Sequence, residues 1–161
     1  DLVSKHILDG VRLTHQVGPI AFSDTLKTIA LACANYHALA ATPVTDPGLE
    51  AQCPQAKAAG AYELLDSYLI SDPWQSPSNM YRSALWTWFE VESSKIDYSG
   101  IYDDKFEHAC QMVWKSTTQF ACGISTRTSP APNPAFYISC IFNPPGNVAA
   151  DFKANCLPDD I

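Results

Sequence analysis

The chain has 161 residues, the length of one ordinary domain; 47% of them are apolar and 17% are charged, which is typical of a globular protein with a buried core. Its formal net charge of −7 and its pI near 4.8 argue against a nucleic-acid-binding protein or one that associates with an anionic membrane surface. No run of 18 apolar residues occurs, so we expect no membrane insertion. We expect a single domain over residues 1–161, and a start at Asp1 without an apolar leader is typical of a processed chain.

The six cysteines indicate the redox compartment. An even number without a C-x-x-C pair favours three disulfides in an oxidising compartment over a zinc or thioredoxin-like site. The alternative is a set of buried free thiols in a cytosolic protein. Cys122 and Cys140 lie in two β-like runs joined by a short turn, which favours a bridge between them, worth about 3 kcal/mol. The other four cysteines allow three pairings and remain unassigned: Cys33, Cys53, Cys110 and Cys156.

Two helices are predicted at the start of the chain. Residues 4–13 form a short amphipathic pattern. Residues 25–41 carry apolar residues at helical spacing, after an N-cap at Ser23 or Asp24. His37 lies at the edge of this apolar stripe, where a hydrogen-bonded core histidine is a more common arrangement than a metal ligand.

The middle of the chain alternates between proline-rich and regular segments. Residues 42–59 contain several prolines and are predicted to be a loop held by Cys53. Residues 61–70 are predicted to be a strand, and residues 80–94 a helix with an apolar face. A polar connector then covers residues 95–105.

The last third of the chain carries the most distinctive pattern. Asp103 or Asp104 could cap a helix that contains His108. Two apolar β-like runs follow, each with a cysteine, and the turn at residues 125–134 between them has three prolines. This arrangement predicts a β-hairpin, which a disulfide would hold together.

These segments resemble a known family. The pattern H-x-x-Q-M-V-W beginning at His108, the two cysteine-containing strands, and the ending N-P-P-G-N from Asn143 are similar to the two signature segments of the CAP superfamily. This superfamily contains cysteine-rich secretory proteins, antigen-five venom proteins and plant pathogenesis-related proteins. Within it the chain looks most like the Ancylostoma-secreted proteins of parasitic nematodes. The resemblance and the helix–strand pattern imply an α+β fold, a three-layer α-β-α sandwich with a small, mostly antiparallel sheet stapled by disulfides.

The resemblance also implies a degenerate metal site. Zinc-binding members use two histidines and two glutamates that meet in a surface cleft. Their motifs carry over to His108 and Glu63, while Glu90 and Glu92 flank the position of the second glutamate and are most simply surface carboxylates. Lys57 lies near the position of the other histidine, where its charge opposes a cation. We therefore expect no bound metal and no other cofactor.

No catalytic residue is predicted. The chain has no G-x-S-x-G motif, and oxidised cysteines cannot act as thiolate nucleophiles. The protein is accordingly expected not to be an enzyme. The hydrolase alternative is a metal-dependent or acid–base reaction that uses Glu63 and His108.

The resemblance implies a secreted, extracellular parasite protein that acts on host haemostasis or leukocyte adhesion, because the group includes inhibitors of platelet integrins and of neutrophil adhesion. The chain has neither Arg-Gly-Asp nor Lys-Gly-Asp, so an integrin contact would need another acidic loop residue. Asp103 and Asp104 are the candidates for such a contact. The expected partner is a host cell-surface receptor. We expect no nucleic-acid partner, and we favour a monomer.

A second interpretation is lipid carriage. Some members of the superfamily bind sterols or fatty acids between helices or under a loop. Aromatic residues around Trp74, and Trp86, Trp88 and Phe89 on the helix at residues 80–94, could line such a pocket, although aromatic stripes more often belong to the core.

Overall fold

A computed structural model gives the fold, and it describes residues 2–40, 53–69, 76–127 and 135–160. Within these ranges the helices and strands follow the chain in this order: α1 (Leu2–Thr14), β1 (Ala21–Phe22), α2 (Asp24–Leu39), α3 (Pro54–Ala58), β2 (Tyr62–Leu69), α4 (Pro77–Ser93), α5 (Glu107–Met112), β3 (Gln119–Arg127), β4 (Ala135–Asn143) and α6 (Phe152–Asn155). Two 3-10 turns, Asp104–Phe106 and Ala149–Asp151, precede α5 and α6.

The four strands form one mixed sheet in the order β1-β3-β4-β2. β3 and β4 form the expected antiparallel hairpin, and β2 pairs antiparallel with the other side of β4. The two-residue strand β1 pairs parallel with β3 and was not predicted, because two residues carry no detectable alternation. The sheet is therefore mostly antiparallel, as expected.

Helices cover both faces of this sheet. Alternate residues of β3 and β4 face two separate cores, because successive side chains of a strand point to opposite sides. Phe120 and Phe142 pack with α1, α4 and α5, whereas Ala121 and Ile141 pack with α2 and α3. Gly123 lets α2 lie directly on β3, since a Cβ there would be 2.7 Å from the backbone of Ala30. The predicted three-layer α+β sandwich is confirmed.

Three disulfides cross-link the helices and strands. Cys122 and Cys140 face each other across β3 and β4. The bridge from Cys33 to Cys53 connects α2 to the start of α3. The bridge from Cys110 to Cys156 connects α5 to the residue after α6.

Several boundaries differ from the sequence-based expectations. Ser23 caps α2, as one of the two proposed caps, and α4 begins earlier than expected, at Pro77 after the cap Ser76. Part of the loop expected at residues 42–59 is the short helix α3, because Cys53 caps it and Pro54 suits a first helical position. Residues 41–52, 70–75 (with Trp74) and most of the turn at 125–134 lie outside the described residues. No helix in the described ranges combines the length and the apolar character that crossing a membrane requires.

Candidate functional site

Arg12 positions the chain after α5. Its buried guanidinium donates hydrogen bonds to four backbone carbonyls. They belong to Gly18, Met112, Trp114 and Thr117, at 2.8, 3.2, 3.0 and 2.8 Å. Burial lowers the pKa of Arg12 to about 10, and the charge of Asp9 acts in the opposite direction. One side chain of α1 therefore fixes the end of the segment that contains His108.

Gln111 connects the two signature segments. Its Nε2 donates to Thr117 Oγ1 at 3.0 Å, and its Oε1 accepts from the backbone N–H of Gly146 at 2.8 Å. A Cβ at Gly146 would lie 2.7 Å from that same Oε1, so only glycine allows this approach. The Gln and Gly of the two motifs are thus partners in one contact, which places α5 against the end of β4.

His108 and Glu92 form the polar centre of a surface cleft. His108 Nδ1 is 2.6 Å from Glu92 Oε1, and Glu92 Oε2 accepts from the backbone N–H of Ala109 at 2.9 Å. The His108 ring stacks on Trp88, with ring centroids 5.1 Å apart. Trp88 and Glu92 are four residues apart on α4, so one face of this helix supplies both contacts. An ionised carboxylate only accepts, so His108 Nδ1 is the donor in this contact when Glu92 is ionised.

The cleft itself is small, with a volume of about 220 Å³. The residues that line it come from β2, α4 and α5: Leu65, Asp66, Thr87, Trp88, Val91, Glu92 and His108. Asp66 Oδ1 accepts from the backbone N–H of Ser67 at 2.8 Å. The sequence did not single out Asp66 or Thr87, since a lone polar residue on a strand or an exposed helix face has no distinguishing pattern.

Glu92 is not a surface carboxylate, contrary to the simplest sequence interpretation. The residue is only 9% exposed, because its side chain lies over α5 and accepts from two groups there. Glu90 is exposed. The signal that separates them is the four-residue spacing from Trp88, which puts Glu92 on the buried face of α4.

Glu63 does not share a site with His108. Tyr62 and Glu63 point to opposite faces of the sheet, as neighbours on a strand must. Tyr62 Oη donates to Glu107 at 2.7 Å, toward α5, whereas Glu63 accepts from the backbone N–H of Cys53 at 2.9 Å and lies 3.0 Å from His37 Nε2, toward α2. The pairing of Glu63 with His108 that the hydrolase alternative requires therefore does not occur, for a reason of strand geometry.

The remaining residues predicted to matter lie on the surface. Asp103 Oδ1 accepts from the backbone N–H of Lys105 at 2.9 Å and caps the 3-10 turn that leads into α5. Asp104 is the first residue of that turn and is exposed. Lys57 is exposed on α3, on the α2 side of the sheet.

The cleft does not fit the zinc site of two histidines and two glutamates. Glu63 is on the other side of the sheet and His37 lies beside it, which leaves His108 and Glu92 as the two members of that set in this cleft. Zinc needs three or four convergent ligands. Among the described residues, a single group of three histidine, cysteine or acidic side chains comes close enough to share an ion, and it is Cys33, Cys53 and Glu63, away from this cleft.

An apolar groove lies between α1 and α4. Two cavities of about 560 and 450 Å³ share the lining residues His6, Ile7 and Trp86. Phe89 lines the second cavity and stacks on Trp86, with ring centroids 6.4 Å apart. Arg82 contributes a positive charge to the first cavity. Of the aromatic residues proposed for a lipid pocket, Trp86 and Phe89 therefore line a groove, while Trp88 packs on His108.

Two fungal proteins match part of the sequence. A probable pathogenesis-related protein of Candida albicans, CaO19.6200, is 41% identical over 54 residues, which cover 34% of this chain and 16% of that protein. The secreted protein RBT4 of Candida albicans is 37% identical over 68 residues, which cover 41% of this chain and 18% of that protein. The matched stretches thus span less than a fifth of these relatives.

Solved structures share the fold at low sequence identity. BmVAL-1 has a TM-score of 0.64 and 17% identity, over 91% of this chain and 76% of that chain. NaASP2, solved with Zn²⁺, has a TM-score of 0.62 and 17% identity, over 91% of this chain and 80% of that chain. The hookworm platelet inhibitor has a TM-score of 0.56 and 13% identity, over 91% of this chain and 70% of that chain.

The model of the CAP family, described as the cysteine-rich secretory protein family, matches residues 6–142. This range contains the signature residues around His108 and ends at Phe142, one residue before the end of β4. The resemblance expected from the sequence is confirmed, and the chain belongs to the cysteine-rich secretory protein family.

Proposed function

We propose that this protein is a secreted, non-catalytic binding protein that acts on a host cell surface, with an integrin of platelets or leukocytes as its receptor. The observation that supports a protein without catalytic activity is the set of hydrogen bonds that Glu92 makes. Both of its oxygens hold α5 and His108 in place, so the polar centre of the cleft is used for structure. Disulfides and a relative named as a secreted protein support an extracellular location. Residues 1–161 would act as one domain.

Two further observations support an integrin as the receptor. The fold is shared with the hookworm platelet inhibitor, which at 13% identity supports the scaffold alone. Asp103 and Asp104 form an exposed acidic pair beside α5, and the side chain of Asp103 is 53% exposed. An exposed carboxylate on a surface turn is the kind of group that a receptor-bound cation can coordinate.

The test is integrin-dependent adhesion of platelets and leukocytes in the presence of the purified protein. We expect the wild type to inhibit adhesion and the double variant Asp103→Ala/Asp104→Ala to lose most of that inhibition. The matched control is Asp159→Ala/Asp160→Ala, which removes the same charge from an exposed pair elsewhere and should still inhibit. Undiminished inhibition by the first variant would show that Asp103 and Asp104 do not contact the receptor. If the wild type does not inhibit adhesion, an integrin is not the receptor.

Lipid carriage is the second candidate, and the apolar groove between α1 and α4 favours it. Its two cavities, of about 560 and 450 Å³, have the volume of a small-ligand site, and their lining is mostly apolar. Trp86 is 48% exposed in the middle of the groove, where a ligand would cover it. A water-exposed apolar groove of this size is a common feature of a binding site.

Lipid carriage is tested by mass spectrometry of an organic extract of the protein and by binding of labelled fatty acid and sterol. We expect saturable binding that Trp86→Ala weakens by about 10-fold, as lost aromatic burial predicts. Ile101→Ala is the control, since Ile101 is 85% exposed and does not line the groove. The absence of both co-purifying and exchangeable lipid would exclude carriage.

A further inference from the structure

A buried polar cluster between α2 and the sheet has no part in the proposed function. It consists of Glu63 on β2 and the groups around it, namely the Cys33–Cys53 disulfide, His37 and Ser139. One ligand atom each from Cys33, Cys53 and Glu63 lie within 4.8 Å of one another. Both cysteines are fully buried, and Glu63 is 3% exposed. The sulfurs and the carboxylate therefore share one buried site.

Helix geometry brings a fourth donor, His37, next to the group of three, where it contacts the carboxylate of Glu63. Cys33 and His37 are four residues apart on α2, so they lie on one face of the helix. His37 Nε2 is 3.0 and 3.1 Å from the two oxygens of Glu63. Cys53 joins them through its backbone N–H, which donates to Glu63 at 2.9 Å, and through its disulfide to Cys33. Two sulfurs, one imidazole nitrogen and one carboxylate are thus held by three separate elements.

We propose that reduction of the Cys33–Cys53 disulfide by a dithiol turns this cluster into a Zn²⁺ site with Cys33, Cys53, Glu63 and His37 as ligands. In the reduction, the S–S bond breaks, the two sulfurs take up two electrons and two protons, and the dithiol becomes a disulfide. Binding of Zn²⁺ then releases the two thiol protons. Two thiolates, a carboxylate and a neutral imidazole suit tetrahedral zinc, and they leave the site with a net charge of −1.

The rest of the site suits this change. The Cα atoms of Cys33 and Cys53 are 5.5 Å apart, so their sulfurs can separate to the spacing of two zinc ligands by rotation of the side chains. Ser139 Oγ donates to Glu63 Oε2, which would orient the carboxylate as a second-layer partner does in metal sites. Without a metal, reduction would leave two thiols against a buried carboxylate, so zinc would stabilise the reduced chain.

The other two disulfides do not offer this chemistry. Among the described residues, neither the Cys110–Cys156 nor the Cys122–Cys140 bridge has a third donor close enough to complete a group of three. They provide matched controls, since each also contains two buried cysteines. In the extracellular location proposed above this bridge is closed, so the zinc form belongs to the protein after it has met a reductant.

Cobalt binding to the reduced protein tests the proposal. The reductant is a phosphine, which is oxidised to the phosphine oxide with oxygen from water and has no thiol to compete for the metal. We expect one equivalent of Co²⁺ to produce a thiolate-to-cobalt charge-transfer band and tetrahedral ligand-field bands, both removed by one equivalent of Zn²⁺. The variant Cys33→Ser/Cys53→Ser should lose the bands completely, while Cys110→Ser/Cys156→Ser and Cys122→Ser/Cys140→Ser should keep them.

Two single variants test the other ligands. Glu63→Gln should weaken Co²⁺ binding by about 10-fold or more, whereas Ser139→Ala, which leaves all four ligands in place, should keep the tetrahedral bands. The proposal is overturned if the reduced wild type shows no charge-transfer band, or if Cys33→Ser/Cys53→Ser retains it. Equal affinity of Glu63→Gln and the wild type would likewise overturn it, because the carboxylate would then not be a ligand.

Discussion

At the scale of single residues, the residues of the signature motif contact one another and residues of other segments. Gln111 and Gly146 come from different motifs and meet in one hydrogen bond. Arg12, far away in the sequence, donates to the carbonyls that end the His108 segment. His108 in turn is held by Glu92 and Trp88 of α4. Each of these residues acts on the backbone or ring of another, which explains why the motif is specific only as a combination.

Glu92 is expected to stabilise the fold. Glu92→Ala leaves His108 Nδ1 and the backbone N–H of Ala109 without their acceptor in a buried place. We expect it to lower the free energy of unfolding by about 2–3 kcal/mol, as measured by urea denaturation. Glu90→Ala, two residues away and exposed, should change it by no more than about 0.5 kcal/mol. Equal effects of the two variants would show that the Glu92 contacts contribute nothing.

At the scale of elements, close backbone contact decides how α2 sits on the sheet. Gly123 of β3 faces the peptide between Ala30 and Leu31, where even a methyl group has no room. The same side of the sheet carries the small residue Ala121, which is paired with Ile141, under the alanine-rich face of α2. The helix and sheet therefore pack at short distance, and the Cys33–Cys53 bridge adds α3 to this layer.

Two glycine-to-alanine substitutions should have opposite effects. Gly123→Ala would place its Cβ 2.7 Å from the backbone of Ala30, so α2 must move away, and we expect a loss of about 1–3 kcal/mol or more. Gly10→Ala has nothing within 4 Å of the new Cβ and lies inside α1, so we expect a gain of about 0.5–1 kcal/mol. Thermal unfolding of both variants gives the comparison. A stability of Gly123→Ala at or above that of the wild type would contradict the close packing.

At the scale of the whole molecule, three tyrosines couple folding to alkaline pH. Burial raises the pKa of Tyr62, and the charge of Glu107 beside it raises it further. Burial raises the pKa of Tyr98 to about 12 and raises that of Tyr102 as well. A folded-state pKa above the unfolded value of about 10 means that the native state keeps protons that the unfolded chain loses.

The free energy of unfolding should therefore decrease as the pH rises above 10. The contribution of each tyrosine is complete below the pKa of the unfolded chain and decreases as pH rises toward that of the folded chain, over pH 10 to about 12 for Tyr98. Urea denaturation between pH 8 and pH 11.5 measures this decrease. Tyr62→Phe, which has no hydroxyl to ionise, should flatten it. An unchanged slope in Tyr62→Phe would mean that Tyr62 does not contribute.

The sequence alone determined the family, the fold class and the hairpin, because motif spacing and the alternation of apolar residues are local and survive without coordinates. It also separated a core histidine, His37, from the cleft histidine, His108. Only the tertiary structure decided which carboxylate contacts which histidine. Glu63 and His108 are on opposite faces of one sheet, and Glu92 is turned inward by its place on α4. Strand alternation turns Glu63 away from His108, and helical spacing turns Glu92 toward it. Both effects depend on which face of an element packs against which neighbour, and the order of residues along the chain does not contain this information.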